Sequence, residues 1–374
     1  MSCQVEKRAI IAAAGSRKTE EIIDSALSAD CRRVLITTYT SENQRQIIRR
    51  IEQKVGCVPE RIVVAGWFSF LISQCAKPFQ RAIVGQCLRI NGLNFTGRRN
   101  RFTPRTSVSY YLDRNNDMYR DGVADFVVEL NRRTGGAVVR RLESIFGHIF
   151  VDEVQDLVGY DLDILDMLLN SRIAITMVGD PRQHTFATNM GPRNKQYRGI
   201  GLLKWFSERR GVCHVEERSV SYRCNQQICD FADAIYPNLP KTTSKGVERT
   251  GHDGVFLVPK RYAVRYFEMY RPVTVLRYSK RDNTLDLPAM NIGVSKGSTF
   301  DRVMIFPTEP MLTYLKDRDE KKLRSPEKLY VAVTRARYSV AFVVPDHLCG
   351  TLEDGCICQP FESVVATIPR VAQA

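Results

Sequence analysis

The chain has 374 residues, 44% of them hydrophobic, which is enough for two or three packed cores. Its 55 Lys and Arg against 41 Asp and Glu leave a net charge of +14, so a polyanionic partner is expected, nucleic acid first of all. No apolar run reaches the roughly 18 residues a membrane span needs, the opening MSCQVEKR lacks an apolar leader core, and the eleven cysteines are scattered and odd in number, so the reading is a cytoplasmic protein with reduced thiols and no membrane partner.

Ala9-Ile10-Ile11-Ala12 reads as a short strand, Ala13 to Thr19 as a polar loop, and Glu20, Ile22, Ile23 and Leu27 as the start of a helix. Strand, loop and helix in that order form a phosphate-binding loop. There the backbone N–H groups and the helix N-terminus surround the phosphates, Lys18 reaches the β and γ oxygens, and the Thr19 hydroxyl joins a Mg²⁺ shell. Ala12 and Arg17 stand where the usual pattern has glycine, so either Arg17 takes backbone angles that glycine takes freely or the loop differs slightly. Further strands are expected at 34–37, 61–65, 148–152 and 174–178, which with helices between them predict a parallel sheet.

The basic segment 76–145 reads as an insertion in that first sheet domain, helical from Asp121 to Asn131. Residues 81–145 hold twelve Arg against six acidic residues, and Arg98, Arg99, Arg101 and Arg105 surround Phe102, a mixture that can follow a phosphate backbone and stack on bases. The strand at 148–152 runs into Asp152-Glu153-Val154-Gln155-Asp156. Such a turn lets Asp152 face a metal while Glu153 points elsewhere and polarises a water. A second set of strands at 212–216, 255–258, 273–277, 302–306 and 339–344 predicts a second sheet domain. His347, Cys349, Cys356 and Cys358 are the nearest approach to a metal cluster, and their spacing matches no common zinc pattern.

Taken in order, the short motifs resemble those of the UvrD/Rep-like branch of superfamily 1 DNA helicases. Gly15-Ser16-Arg17-Lys18-Thr19, Ile36-Thr37-Thr38-Tyr39-Thr40, Trp67-Phe68-Ser69-Phe70, the DExQD turn at 152–156, Val178 to Gln183, Ser221-Tyr222-Arg223, Ser295 to Asp301 and Tyr330 to Arg337 match eight successive family segments. The resemblance implies an α/β fold of two RecA-like P-loop domains with parallel sheets and a small, mainly helical insertion in the first. The boundaries expected are 1–75 and 146–207 for the first domain, 76–145 for the insertion, 208–345 for the second domain with a short insertion near 236–270, and 346–374 for a tail.

It further implies ATP and Mg²⁺ as cofactors and ATP-dependent, probable 3′ to 5′ movement on single-stranded DNA, with RNA also compatible. Catalysis falls to Lys18, Glu153, Gln183, Arg223 and Arg335, and nucleotide binding to Gly15, Ser16, Arg17, Lys18, Thr19, Tyr222 and Gly297. Thr19 and Asp152 hold the metal, and Thr38, Tyr39, Trp67, Phe68, His184 and Phe186 touch the strand. Thr299 and Gly293 depart from the family's usual Glu and His. Two other readings stand beside this one: a nucleotide-binding switch or scaffold with little hydrolysis, and a motor subunit serving a separate nuclease or a replication or repair factor.

Overall fold

The computed structural model describes residues 5–100, 102–189, 191–246 and 249–348, together with the backbone of 358–360. Arg101, the side chains of Cys349, Cys356 and Cys358, and most of the expected tail lie outside the described residues. Contacts divide the chain into two compact units, one made of residues up to Ile11 with Lys18–Glu217, the other of Ala12–Arg17 with the chain from Arg218 onward.

The first unit is built on six strands: β1 (Lys7–Ala12), β2 (Val34–Thr38), β3 (Ile62–Gly66), β4 (His148–Val151), β5 (Ala174–Gly179) and β6 (His214–Arg218). Their order is β3-β2-β4-β5-β1-β6, and the pairings among β1 to β5 are parallel. All five residues of β2 are buried, so it shows no polar alternation, as a strand covered on both faces should. The strand expected at 212–216 runs His214–Arg218 and lies at the edge of this first sheet, beside β1. Five residues of mixed polarity say nothing of which sheet they join.

Helices pack where their apolar residues recur on one side. In α1 (Lys18–Ser28) Ile22, Ile23 and Ala26 are buried on one side, and in α2 (Ser41–Val55) Asn43, Ile47 and Ile51 are, these last three spaced four residues apart. Thr40 caps α2 by accepting the Asn43 N–H at 3.1 Å, and Gly56 closes it at φ 84. The inserted segment carries α3 (Val123–Arg133) and α4 (Ala137–Ile145) and two short paired strands, Leu93–Asn94 and Met118–Tyr119. It has no separate core. Tyr111, Met118, Phe126 and Leu130 join one apolar cluster with Ile149 and Ile175 of the sheet and with Leu162 and Leu165 of α5 (Tyr160–Leu169).

The second unit holds β7 (Gly254–Pro259), β8 (Val273–Arg277), β9 (Ala289–Asn291), β10 (Phe300–Phe306), β11 (Ala336–Val344) and β12 (Cys358–Pro360), all parallel, in the order β9-β8-β10-β11-β7-β12. Its core gathers Val255, Leu276, Ile305 and Phe342 from the sheet with Leu329 and Val333 of α6 (Pro326–Val333). Two parallel sheets covered by helices match the expected fold class. No described helix is long and apolar enough to cross a membrane.

One buried carboxylate ties the first unit together. Asp161 of α5 accepts the Trp67 indole N–H at 2.6 Å and the Thr188 hydroxyl, and burial pushes its carboxyl up to about 6 against those two bonds. Asp161→Ala strands both donors and should lower unfolding free energy by about 3 kcal/mol, read from urea midpoints. The folded state holds the Asp161 proton more tightly than the unfolded chain, so this group's contribution is full below the ordinary value of 3.8 and is lost as pH rises through about 6. Asp161→Asn should flatten that part of the stability profile.

Candidate functional site

Beyond the carboxyl ends of β1, β4 and β5 the first unit collects most of its predicted chemical groups. Lys18 and Thr19 open α1, where the first N–H groups of a helix have no partner within it. The Thr19 hydroxyl donates to Asp152 Oδ2 at 3.1 Å, and Lys18 is 8% exposed with no hydrogen bond or salt bridge among the described residues. Its charge is felt at both Asp152 and Asp180. Burial, with the neighbouring Glu153 charge adding to it, pushes the Asp152 carboxyl up to about 7 despite Lys18 and Thr19. At Asp180 burial acts the same way but is overcome by Arg182, whose Nε lies 2.8 Å from Oδ1, and by Lys18, so that carboxyl falls below its ordinary value.

The turn after β4 bends sharply. Glu153 adopts φ 57, its N–H donates to Asp152 Oδ1 at 3.0 Å, and its carboxylate accepts from the Gln155 amide. Gln155 also accepts the Asp180 N–H at 3.1 Å, and its carbonyl meets His184 Nδ1 at 2.6 Å. The end of β5 is fitted to that amide: a β-carbon on Gly179 would stand 2.4 Å from Gln155 Oε1. Gln183 donates to Asp180 Oδ2 at 2.9 Å. The structure thus brings Lys18, Thr19, Asp152, Glu153 and Gln183 into one buried polar group, and adds Gln155 and Asp180, which the sequence reading did not assign. The signal for both was present in the conspicuous polar residues that follow two apolar strands.

The rest of the loop belongs with the second unit. Gly15 sits at φ 77, its carbonyl accepts the Tyr222 N–H at 2.9 Å, and a β-carbon there would lie 2.6 Å from Arg223 Cβ. Arg17 takes a left-handed angle, φ 62, and its guanidinium lies 4.3 Å above the Tyr222 ring. Ser16 Oγ is buried with no partner among the described residues, as an atom reserved for a bound oxygen would be.

Arg223 donates to the Thr334 carbonyl at 3.0 Å, and Arg335, 2% exposed, to the carbonyls of Val331 at 3.1 Å and Ser298 at 3.2 Å. Gly297 adopts φ 88 just before Ser298. A cavity of about 280 Å³ is lined by Tyr222, Arg223, Asn225, Lys245, Gly246, Arg337 and Tyr338, three cations and, among the described residues, no carboxylate. Such a lining suits an anion with a flat ring.

The six predicted strand contacts separate by exposure. Tyr39, His184 and Phe186 are half-buried, whereas Thr38, Trp67 and Phe68 are buried. Trp67 is 1% exposed with its indole bonded to Asp161, so its ring has no open face for a base. The Tyr39 ring meets Phe68 edge-on at 6.0 Å and Phe186 at 6.1 Å, a row of aromatics on one unit. In the basic segment Phe102 is 92% exposed, while Arg99 lies over Tyr110 at 3.9 Å and Arg105 pairs with the buried Asp125.

The family described as the viral superfamily 1 RNA helicase core domain matches residues 104–344, well over half of the chain. Among solved structures, an Arterivirus nonstructural protein 10 (helicase) is 17% identical with a TM-score of 0.47, and the match covers 92% of this chain and 62% of that one. The same Arterivirus protein in complex with DNA gives 16%, 0.46, 92% and 63%. The chain therefore spans less than two thirds of those proteins. No curated protein sequence matches.

The angle at Arg17 predicts an asymmetry between two substitutions. Both Arg17→Gly and Arg17→Ala remove the contact with Tyr222, but only alanine keeps a β-carbon at φ 62, so the alanine variant should be less stable than the glycine variant by about 1 kcal/mol. Paired denaturant titrations read that difference directly.

Proposed function

The chain belongs to the viral superfamily 1 RNA helicase core domain family, and on that premise we propose that it is an ATP-driven motor that moves along an unpaired nucleic-acid strand. The observation that supports this above all is the buried group in which Thr19 Oγ1 lies 3.1 Å from Asp152 Oδ2, with Lys18 beside both Asp152 and Asp180. Thr19 and Asp152 would hold Mg²⁺. They fit it as two hard oxygen donors, one of them a carboxylate buried beside a second carboxylate, Glu153. The ion supplies charge neutralisation to phosphate oxygens.

Lys18 binds the outer phosphates, Ser16 and the loop amides bind the inner ones, and Glu153 orients the attacking water. Gln183, held by Asp180, reports the state of the outer phosphate to His184 and Phe186, the first and third residues after it along the chain. By the order of the motifs, Arg223, Arg335 and Gly297 also act on the nucleotide and Tyr222 is the platform for its base.

The strand's chemistry has two supports that differ. Single-stranded DNA and 3′ to 5′ movement follow from the UvrD/Rep-like order of motifs, and RNA from the description of the family matched over 104–344. Stacking on Tyr39 and Phe186 accepts either sugar. RNA is the first strand to test because the description of the matched family names it.

Phosphate release should be absent in Lys18→Ala, and Glu153→Gln should lower kcat by about 100-fold or more while nucleotide affinity holds. A Lys18→Ala variant that turns over like the parent would refute the site. Turnover measured with single-stranded RNA, single-stranded DNA and duplex should rise with an unpaired strand. Release that ignores every strand would instead favour the switch or scaffold.

A further inference from the structure

The row of rings through Phe186, Tyr39 and Phe68 continues into the inserted segment. Phe68 meets Phe95 edge-on, with centroids 6.3 Å apart and planes at 82°. Phe95 follows the short strand Leu93–Asn94 and is 49% exposed, whereas the packing aromatics of the same segment, Tyr111 and Phe126, are 1% and 0% exposed. One edge of the ring is therefore fixed by Phe68 while much of its surface stays open.

A cation stands beside that open ring. The Arg120 guanidinium lies 5.3 Å from the Phe95 centroid and is held by a 3.0 Å bond from its Nε to Asp121. The electrostatic influence of Arg120 also reaches the Tyr39 hydroxyl. Nearby in the same unit the pattern recurs, with Arg99 over Tyr110 at 3.9 Å, and Arg105 and Arg193 over Tyr160 at 5.2 and 5.4 Å. Rings paired with guanidinium groups suit a chain that carries both bases and phosphates, although Arg105, Arg120 and Arg193 each also pair with a carboxylate, Asp125, Asp121 and Asp163. An acidic peptide would satisfy the cations but has no use for an open ring held edge-on in a row of rings.

We propose that Phe95 and Arg120 form a further contact for a single-stranded nucleic acid, Phe95 stacking on a base and Arg120 meeting a neighbouring phosphate, so that the aromatic row extends from the sheet onto the inserted segment. This rests on the reading of the chain as a strand-tracking motor. Neither residue belongs to the nucleotide machinery, so strand-free ATP turnover is unchanged by replacing them.

The test is fluorescence anisotropy of the full chain with a labelled oligouridylate, an oligodeoxythymidylate and an abasic phosphodiester strand, all of one length, with thermal melts to confirm folding. Phe95→Ala should weaken both base-bearing strands about tenfold and leave the abasic strand unaffected, and Phe95→Trp should restore binding. Arg120→Gln should weaken all three and reduce the salt slope by about one. If Phe95→Ala binds base-bearing strands like the parent, or weakens the abasic strand equally, the ring only packs and the proposal is overturned. Tyr39→Ala separates the two levels: loss with Tyr39→Ala but not Phe95→Ala overturns this contact alone, whereas a parent chain that binds none of the strands takes the motor reading down with it.

Discussion

Three carboxylates, Asp152, Glu153 and Asp180, are buried around one free ammonium, Lys18, and the arrangement of the first unit follows from how that imbalance is managed. Two solutions operate within a few residues of each other. Asp180 is given a guanidinium and an amide and its carboxyl falls below its ordinary value, whereas Asp152 receives a hydroxyl, the Glu153 N–H and the influence of Lys18, and burial beside the Glu153 charge still raises its affinity for a proton. A buried carboxylate left under-compensated is costly in a purely structural role and useful where a cation is to arrive.

Backbone geometry at the site is equally constrained. Of the seven non-glycine residues at positive φ among those described, Arg17 and Glu153 stand in the phosphate loop and the acidic turn. Strain held at two such places points to positions where the direction of the chain matters more than local comfort. Glycine appears where approach, not angle alone, is decisive: Gly15 lies against Arg223 and Gly179 against Gln155, and in each case a single added carbon would collide. Gln155 joins these parts, touching the Glu153 carboxylate, the Asp180 N–H and, through its carbonyl, His184. That short chain of bonds links Glu153 to His184, beside the aromatic row, and on the proposed function it is the route by which turnover and strand contact would be coupled.

The inserted segment takes its role from sharing a core. Its apolar residues pack with those of the first sheet and α5, so its loops are carried on a firm base. Arg99 and Arg120, each facing a ring there, are half-buried, and the ring helps to fix the guanidinium in place. A basic segment on a hinge of its own would offer charge without register.

Sequence alone determined the strand and helix order, the phosphate loop, the acidic turn and the basic character of 76–145, since each is a local pattern of apolar period, charge and glycine placement. It marked Arg17 as a residue out of place in that loop, and the structure settled the matter with a left-handed angle, φ 62. Exposure was not legible: Trp67 and Tyr39 both follow apolar strands, yet one ring is sealed against Asp161 and the other is half open. Nor was the sheet that claims His214–Arg218, or the contact of Phe68 with Phe95, legible from local pattern. Tertiary structure decided these, because burial and neighbourhood depend on residues far away in the chain, and no local pattern records which distant surface will cover a ring.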